Sequence, residues 1–271
     1  MDSYSLELEK CDVDRMTNKK CIWFATLLGS LWLAFVPQYT VAEEGAPHWT
    51  YEGEEGPEHW GDLADEYRLC DEGRNQSPID LVSDVHAKLP ELEFEYYSTP
   101  LNEINNGHTI QQNVEPGSYF RIPDRGVEFE LKQFHFHSPS EHTVNGRYYA
   151  MELHFVHANE QGDLAVVGVL IKEGEEHPVL KKLWSFMPEN AGDTSEQPIG
   201  IEDTDLLPPT RKYFVYGGSL TTPPCSEGVK WIILKTPIEA SAEQIATFKK
   251  RVGPTTNRPV QPTNARLILD M

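Results

Sequence analysis

The chain has 271 residues, of which 39% are hydrophobic and 24% are charged, as is typical of a folded globular protein and not of a disordered or fibrous one. Acidic residues outnumber basic residues by 43 to 23, which gives a formal net charge of −20. The phosphate backbone of a nucleic acid repels a protein of this charge, so we expect no nucleic-acid partner. The ten histidines of so acidic a chain direct attention to metal binding, because imidazole is the commonest metal ligand among side chains.

The N-terminal segment has the pattern of an export signal. An apolar run over residues 21–36 follows a stretch with three basic residues, and it is shorter than the about 20 residues of a membrane span. Thr40-Val41-Ala42 is the small-x-small pattern that precedes a signal peptidase cut. We predict a signal peptide over 1–42, with Met16 as an alternative start, and a mature domain over 43–271. An uncleaved anchor is the alternative; cleavage predicts a periplasmic or secreted protein without stable membrane insertion.

Cysteine usage agrees with export. Cys11 and Cys21 lie in the predicted signal peptide, so Cys70 and Cys225 form an even pair in a chain bound for an oxidising compartment. We predict a disulfide between Cys70 and Cys225, and two unpaired thiols are the alternative.

The mature chain has the pattern of one domain dominated by strands. Short runs rich in Val, Ile, Phe and Tyr recur between Gly, Pro and Asn clusters, which predicts a mainly β (α+β) domain with a large, mostly antiparallel sheet and short peripheral helices. The predicted strands are 92–97, 119–122, 127–137, 148–157, 164–171 and 231–234. The predicted helices are 178–186 and 241–251, the second with Ser241 as its N-cap.

Two of these strands carry a candidate metal site. Side chains alternate faces along a strand, so His135 and His137 project together while Phe134 and Phe136 point to the other face. Antiparallel pairing with the next strand can bring His154 beside them. Three neutral imidazoles leave the fourth tetrahedral position of Zn²⁺ open for water, as in catalytic sites. By itself a His-x-His pair is weak support, since polar strand faces carry histidines for other reasons.

Seven motifs, in order along nearly the whole mature chain, resemble the α-carbonic anhydrases. They are 56–61 (GPEHWG), 75–79 (NQSPI), 105–108 (NNGH), 133–137 (QFHFH), 140–142 (SEH), 152–154 (ELH) and 218–225 (GSLTTPPC). The short link 138–140 resembles the bacterial, exported branch, and the longer animal-type insertion is absent. The resemblance implies zinc-dependent, reversible hydration of carbon dioxide to bicarbonate and a proton, by attack of zinc-bound hydroxide on CO₂ with histidine-mediated proton transfer.

The resemblance also implies individual roles. The zinc ligands fall on His135, His137 and His154, the three residues that strand parity selects independently. Thr221 accepts the proton of the hydroxide and donates its own hydroxyl proton to Glu141; a turn hydroxyl bonded to backbone is the alternative for Thr221.

A second group of implied residues surrounds this centre. His108 resembles the proton shuttle, a role suited to a group with a pKa near 7, and a turn histidine without function is the alternative. Gln133 and Glu152 resemble the partners of the second ring nitrogens of His135 and His154, and solvated strand residues are the alternative. The water chain is assigned to Tyr51 and Asn106. The substrate site, including an apolar notch for CO₂, is assigned to Val156, Val166, Leu220, Thr222 and Trp231.

Two other classes of function compete with the zinc lyase. A binding protein that keeps the fold without catalysis would have replaced its zinc-binding histidines, and here all three are intact. An unrelated zinc hydrolase using His135, His137 and His142 lacks the additional carboxylate ligand at the expected spacing. A homodimer is left open by the sequence.

Overall fold

The computed structural model describes residues 47–83, 85–123 and 126–271. The predicted signal peptide, 1–42, lies outside the described residues. Within these ranges no helix is both long enough and apolar enough to cross a bilayer.

Fifteen strands in the described ranges form one 12-stranded sheet and one 3-stranded sheet. They are β1 (Asp80–Leu81), β2 (Val85–His86), β3 (Glu93–Glu95), β4 (Thr99–Asn105), β5 (Ile110–Asn113), β6 (Tyr119–Ile122), β7 (Val127–His137), β8 (Thr143–Val144), β9 (Arg147–Tyr148), β10 (Met151–Ala158), β11 (Leu164–Glu173), β12 (Thr194–Ile201), β13 (Tyr213–Ser219), β14 (Glu227–Ala240) and β15 (Leu269–Asp270). The large sheet runs in the order β12-β4-β5-β7-β10-β11-β14-β13-β15-β2, with β6 pairing to β7 and β3 to β6. Most neighbours are antiparallel, and β11/β14 and β15/β2 are parallel. The predicted fold class is confirmed.

Four short α-helices lie among the described residues: α1 (Trp60–Leu63), α2 (Leu69–Glu72), α3 (Pro178–Trp184) and α4 (Ala242–Val252). The predicted cap of α4 is confirmed, because the Ser241 hydroxyl accepts the N–H of Gln244 and the Gln244 side chain accepts the N–H of Ser241. Helix α3 ends two residues earlier than predicted.

Several strands, among them β4, β5, β12 and β13, were not predicted from the sequence, and in β4 and β5 many buried positions are polar. The predictions for β6 and β7 match the observed bounds, whereas β4 and β5 were missed. In these two strands the buried side chains include Glu103, Asn105, Gln111 and Gln112, so the apolar pattern of a strand is missing. The predicted strand 148–157 is divided between β9 and β10.

Two apolar clusters cover the two faces of the sheet and direct the histidines. Phe134, Phe136 and Phe155 belong to the larger cluster, while Val166 and Trp231 belong to the cluster on the opposite face. Because neighbours in a strand point to opposite faces, burial of Phe134 and Phe136 turns His135 and His137 away from the larger cluster.

Candidate metal centre

The register of β7 and β10 brings three histidines together. His154 lies opposite His135, and Glu152 lies opposite His137. The ring centroids are 5.0 Å apart for His135 and His137, 5.3 Å for His135 and His154, and 4.7 Å for His137 and His154. One potential ligand atom from each ring lies within 4.8 Å of the others. The structure therefore assembles the three imidazoles that strand parity selects.

A hydrogen bond on the second nitrogen of each ring determines which nitrogen keeps a lone pair. Gln133 Oε1 accepts from His135 Nδ1 at 2.8 Å, and Glu152 Oε1 accepts from His154 Nε2 at 3.0 Å. His137 Nδ1 donates to the main-chain oxygen of Thr256 at 2.5 Å. Because these oxygens only accept, the lone pairs remain on Nε2 of His135, Nε2 of His137 and Nδ1 of His154. Thr256 was missed by the sequence analysis, since a main-chain carbonyl distant along the chain leaves no motif.

Unpaired buried atoms at the centre fit a cation. His137 Nε2 and Glu141 Oε2 are buried, and neither makes a hydrogen bond with any described residue. Glu141 Oε2 lies 3.6 Å from His137 Nε2 and 3.9 Å from His154 Nδ1. Leaving buried polar atoms without partners is costly unless another group satisfies them. A nitrogen-ligated metal such as Zn²⁺ suits this donor set.

Burial favours the neutral form of two of the three histidines, which is the form that can bind a metal. Desolvation lowers the pKa of His135 well below its usual value, and repulsion from His137 and His154 adds to the shift. The pKa of His137 is also lowered, chiefly by desolvation and against the attraction of Glu141. Both rings therefore present lone pairs at neutral pH.

The Glu152 carboxylate is the most heavily bonded group beside the centre. Its Oε2 accepts the backbone N–H groups of Glu141 and His142 at 2.9 and 2.8 Å, and its Oε1 accepts His142 Nδ1 at 2.7 Å besides His154. Burial alone would raise the pKa of Glu152, but attraction to His142 and His154 and their hydrogen bonds hold it well below the usual value. Gly168, opposite His154, leaves room for this carboxylate, because a Cβ there would lie 3.0 Å from Glu152 Oε1.

Glu141 and Thr221 are not joined by a hydrogen bond within the described part of the chain. Glu141 Oε1 accepts the main-chain N–H of Arg258 at 2.9 Å, and Oε2 has no partner among the described residues. Thr221 is buried in the turn that follows β13. Oε2 lies 3.6 Å from His137 Nε2 and 3.9 Å from His154 Nδ1.

His108 lies against an aromatic wall, and this changes its acidity. Its ring stacks on Trp49, with centroids 3.6 Å apart and planes 7° from parallel. Burial, with a smaller contribution from repulsion by His48, lowers the pKa of His108 to about 4. This direction agrees with the stacked position, because a ring covered by indole loses part of the solvation of its charged form.

The two residues assigned to a water chain differ in their contacts. Asn106 Oδ1 accepts the N–H groups of His108 and Thr109 at 3.0 and 2.9 Å, so its oxygen shapes the turn that carries His108. The Tyr51 hydroxyl is buried without a partner among the described residues. Burial and the charge of Glu141 raise the pKa of Tyr51 well above its usual value, so this hydroxyl keeps its proton.

Apolar side chains form a wall beside the histidines. Val156 lies opposite Val166 across β10 and β11, and Val166 lies opposite Trp231 across β11 and β14. Leu220 packs against the same cluster, and the Trp231 ring is 4.8 Å, edge to face, from that of His154. The structure brings these four side chains together, and Thr222 is half-buried in the turn after Leu220.

The predicted disulfide is confirmed. Cys70 in α2 is bonded to Cys225, with a sulfur–sulfur distance of 2.04 Å. The main-chain N–H of Cys225 donates to the oxygen of Thr222 at 2.8 Å, so the bridge holds the turn that carries Thr221.

Comparison with known proteins decides the family. The model of the eukaryotic-type carbonic anhydrase family matches residues 55–271. The chain belongs to the α-carbonic anhydrase family. It is 47% identical over 225 residues to a carbonic anhydrase of Klebsiella pneumoniae, covering 83% of this chain and 92% of that protein. It is 42% identical over 245 residues to one of Neisseria gonorrhoeae, covering 90% and 96%.

Solved structures agree with this family. The α-carbonic anhydrase of Thermovibrio ammonificans, solved with the inhibitor sulfanilamide, superposes with a TM-score of 0.80 at 49% identity, over 83% of this chain and all of that one. This protein is accordingly an enzyme, a carbonic anhydrase, and carbon dioxide hydration is the reaction that the family supports.

Proposed function

We propose that this carbonic anhydrase is a zinc lyase that interconverts carbon dioxide and bicarbonate, with His135, His137 and His154 as the metal ligands. The observation that supports it is the convergence of three ring lone pairs, each oriented by a hydrogen bond on the other nitrogen. A bound zinc ion would supply a Lewis acid that lowers the pKa of a bound water to about 7.

Carbon dioxide carries no net charge, so its site is proposed at the apolar wall of Val156, Val166, Leu220 and Trp231. Thr222 borders this wall in the adjacent turn. Because Trp231 contacts His154 edge to face, a molecule held against the wall lies next to the metal ligands. Holding carbon dioxide there would place it close to the reacting water in a fixed orientation, which lowers the entropic cost of the reaction.

Glu141 and Thr221 are proposed to orient the reacting water. Glu141 Oε2 lies beside the imidazoles and accepts no hydrogen bond from the described residues. The other carboxylate oxygen, Oε1, accepts the main-chain N–H of Arg258. The Thr221 hydroxyl is proposed as the second orienting group, from a turn that the disulfide holds. Gln133 and Glu152 keep the rings in the tautomers that ligation needs.

His108 is proposed as the group that passes the product proton to solvent, with Tyr51 and Asn106 lining the route. Its half-buried ring stacks on Trp49 and follows the turn shaped by Asn106, and an imidazole can both accept and release a proton.

We propose a periplasmic or secreted location and cleavage of the segment 1–42. The disulfide between Cys70 and Cys225 supports it, because such bonds persist in oxidising compartments. The proposed metal-dependent domain covers 43–271.

The test is His154→Ala, assayed for bound zinc per chain and for CO₂ hydration by stopped flow. We expect loss of both, because one of three ligands is removed. The matched control is His157→Gln: His157 is buried in the same strand, but it is bonded to Tyr96 and to the oxygen of Ala165. A His154→Ala protein that hydrates CO₂ at the wild-type rate without metal would contradict the proposal.

A further inference from the structure

Arg258 is a fully buried arginine held by uncharged acceptors. Its side chain is 1% exposed, and it forms no ion pair within the described part of the chain. Nη1 donates to Gln76 Oε1 at 2.8 Å and to the oxygen of Ser77 at 2.9 Å, and Nη2 donates to the oxygen of Cys70 at 2.6 Å. The guanidinium also lies over the Trp60 ring, 5.7 Å from its centroid. Its position is therefore determined from several directions at once.

These acceptors belong to the surroundings of the disulfide. Cys70 is one half-cystine, and the Gln76 side chain donates from Nε2 to the main-chain oxygen of Cys225, the other half-cystine, at 3.0 Å. The guanidinium thus contacts one half-cystine directly and the other through Gln76. The group formed by Arg258, Gln76, Cys70 and Cys225 is called the anchor below.

The anchor reaches two residues proposed for the reaction. The main-chain N–H of Arg258 donates to Glu141 Oε1 at 2.9 Å, which is the one hydrogen bond that this carboxylate accepts from the described residues. The N–H of Cys225 donates to the oxygen of Thr222, next to Thr221. The anchor therefore bonds Glu141 directly, and it bonds the residue that follows Thr221.

We propose that Arg258 is a positioning residue for carbon dioxide hydration, because its guanidinium holds the main chain at residue 258 so that its N–H orients Glu141. This inference rests on the proposed function, in which Glu141 orients the reacting water. A lysine cannot replace Arg258, since its single ammonium lacks the planar fork that reaches Gln76, Ser77 and Cys70 together.

Arg258→Lys tests the proposal against Arg266→Lys. Arg266 is a matched control because its guanidinium also donates to main-chain oxygens, that of Gln76 among them, and lies over an aromatic ring, Tyr216. Within the described residues it has no hydrogen bond to Glu141, to a half-cystine or to the Gln76 side chain. We expect Arg258→Lys to lower kcat by about 10-fold or more with little change in KM, since a misoriented group impairs the reaction step and not uniform binding.

A second readout separates positioning from general destabilisation. Hydrogen–deuterium exchange of the residue 258 amide in the folded protein should be at least about 10-fold faster in Arg258→Lys, because the bond to Glu141 loosens. Arg266→Lys should leave both this amide and kcat close to wild type. If the two variants have equal kcat and equal exchange at residue 258, Arg258 has no positioning role.

Gln76→Met keeps the test decisive if Arg258→Lys does not fold. It removes one of the two acceptors of Nη1 and the link to Cys225 while Arg258 and the oxygen of Ser77 stay in place. We expect lower kcat and faster exchange at residue 258, each by a smaller factor than in Arg258→Lys. If Gln76→Met has the wild-type kcat and the wild-type exchange rate at residue 258, the proposed positioning role of the anchor is wrong. A zinc-loaded wild-type protein without CO₂ hydration would instead refute the proposed function, so the two failures are distinguishable.

Discussion

Replacing Glu152 with glutamine tests how the carboxylate prepares the metal centre. Glutamine keeps the shape of the side chain but presents one oxygen acceptor and one NH₂ donor, whereas the buried Glu152 carboxylate accepts four N–H groups. The backbone N–H groups of Glu141 and His142 cannot give up their protons, so we expect the amide oxygen to face them. The NH₂ group then faces His142 Nδ1 and His154 Nε2.

This arrangement forces a change at His154. To avoid two donors in contact, its proton must move from Nε2 to Nδ1, which removes the lone pair that the proposed ligand needs. We expect zinc affinity to fall about 10- to 100-fold, the range found when such a partner is lost. If the protons do not move, the unpaired buried donors lower the free energy of unfolding of the metal-free protein by about 1 to 3 kcal/mol each.

The assay is competition for zinc with a chromophoric chelator, together with urea unfolding of the metal-free protein. Glu130→Gln is the control: Glu130 also lies on the large sheet, accepts the N–H of Gly117 and pairs with Lys132, and it has no hydrogen bond or ion pair with a histidine among the described residues. Wild-type zinc affinity and wild-type stability in Glu152→Gln would show that the carboxylate does not determine the tautomer of His154.

Three further results are expected. His108→Ala should lower turnover in weak buffer and be partly rescued by imidazole in stopped-flow hydration, and equal turnover in weak buffer would remove His108 from proton transfer. Trp49→Ala should raise the pKa of His108 from about 4 toward its usual 6.5 in an NMR titration, because the ring regains solvent; a pKa still near 4 would exclude the stack as the cause. Glu103 is buried, and desolvation raises its pKa from 4.5 to about 8. Between pH 4.5 and 8 the folded protein therefore keeps a proton on Glu103 that the unfolded chain releases. The free energy of unfolding consequently falls as pH rises through that window. Glu103→Gln should therefore raise the free energy of unfolding, measured with urea, at pH 9 relative to wild type but not at pH 4, by roughly 1.4 kcal/mol per unit of pKa difference as an upper bound. An equal change at both pH values would contradict this.

The fold could be predicted where local pattern and burial agree. Strand β7 was predicted with its observed bounds because Phe134 and Phe136 alternate with polar residues. Strands β4 and β5 were missed because the interior accepts Glu103 and Gln112, whose burial depends on neighbouring strands and not on their own apolar character.

The sequence by itself determined the three histidines and the disulfide. Side-chain alternation places His135, His137 and His154 on a common face once β7 and β10 pair. The pairing of Cys70 with Cys225 was predicted from an even count in a chain whose sequence predicts export. These inferences use residue identity and short-range periodicity, which a sequence contains directly.

Only the tertiary structure decided how these groups are held and how acidic they are. The carbonyl of Thr256 on His137, the N–H of Arg258 on Glu141 and the indole of Trp49 on His108 are contacts between distant segments. Two of them are made by main-chain atoms that every residue possesses, so residue identity does not signal them. The third lowers a pKa through desolvation, which depends on the packing around a ring and not on its place in the chain.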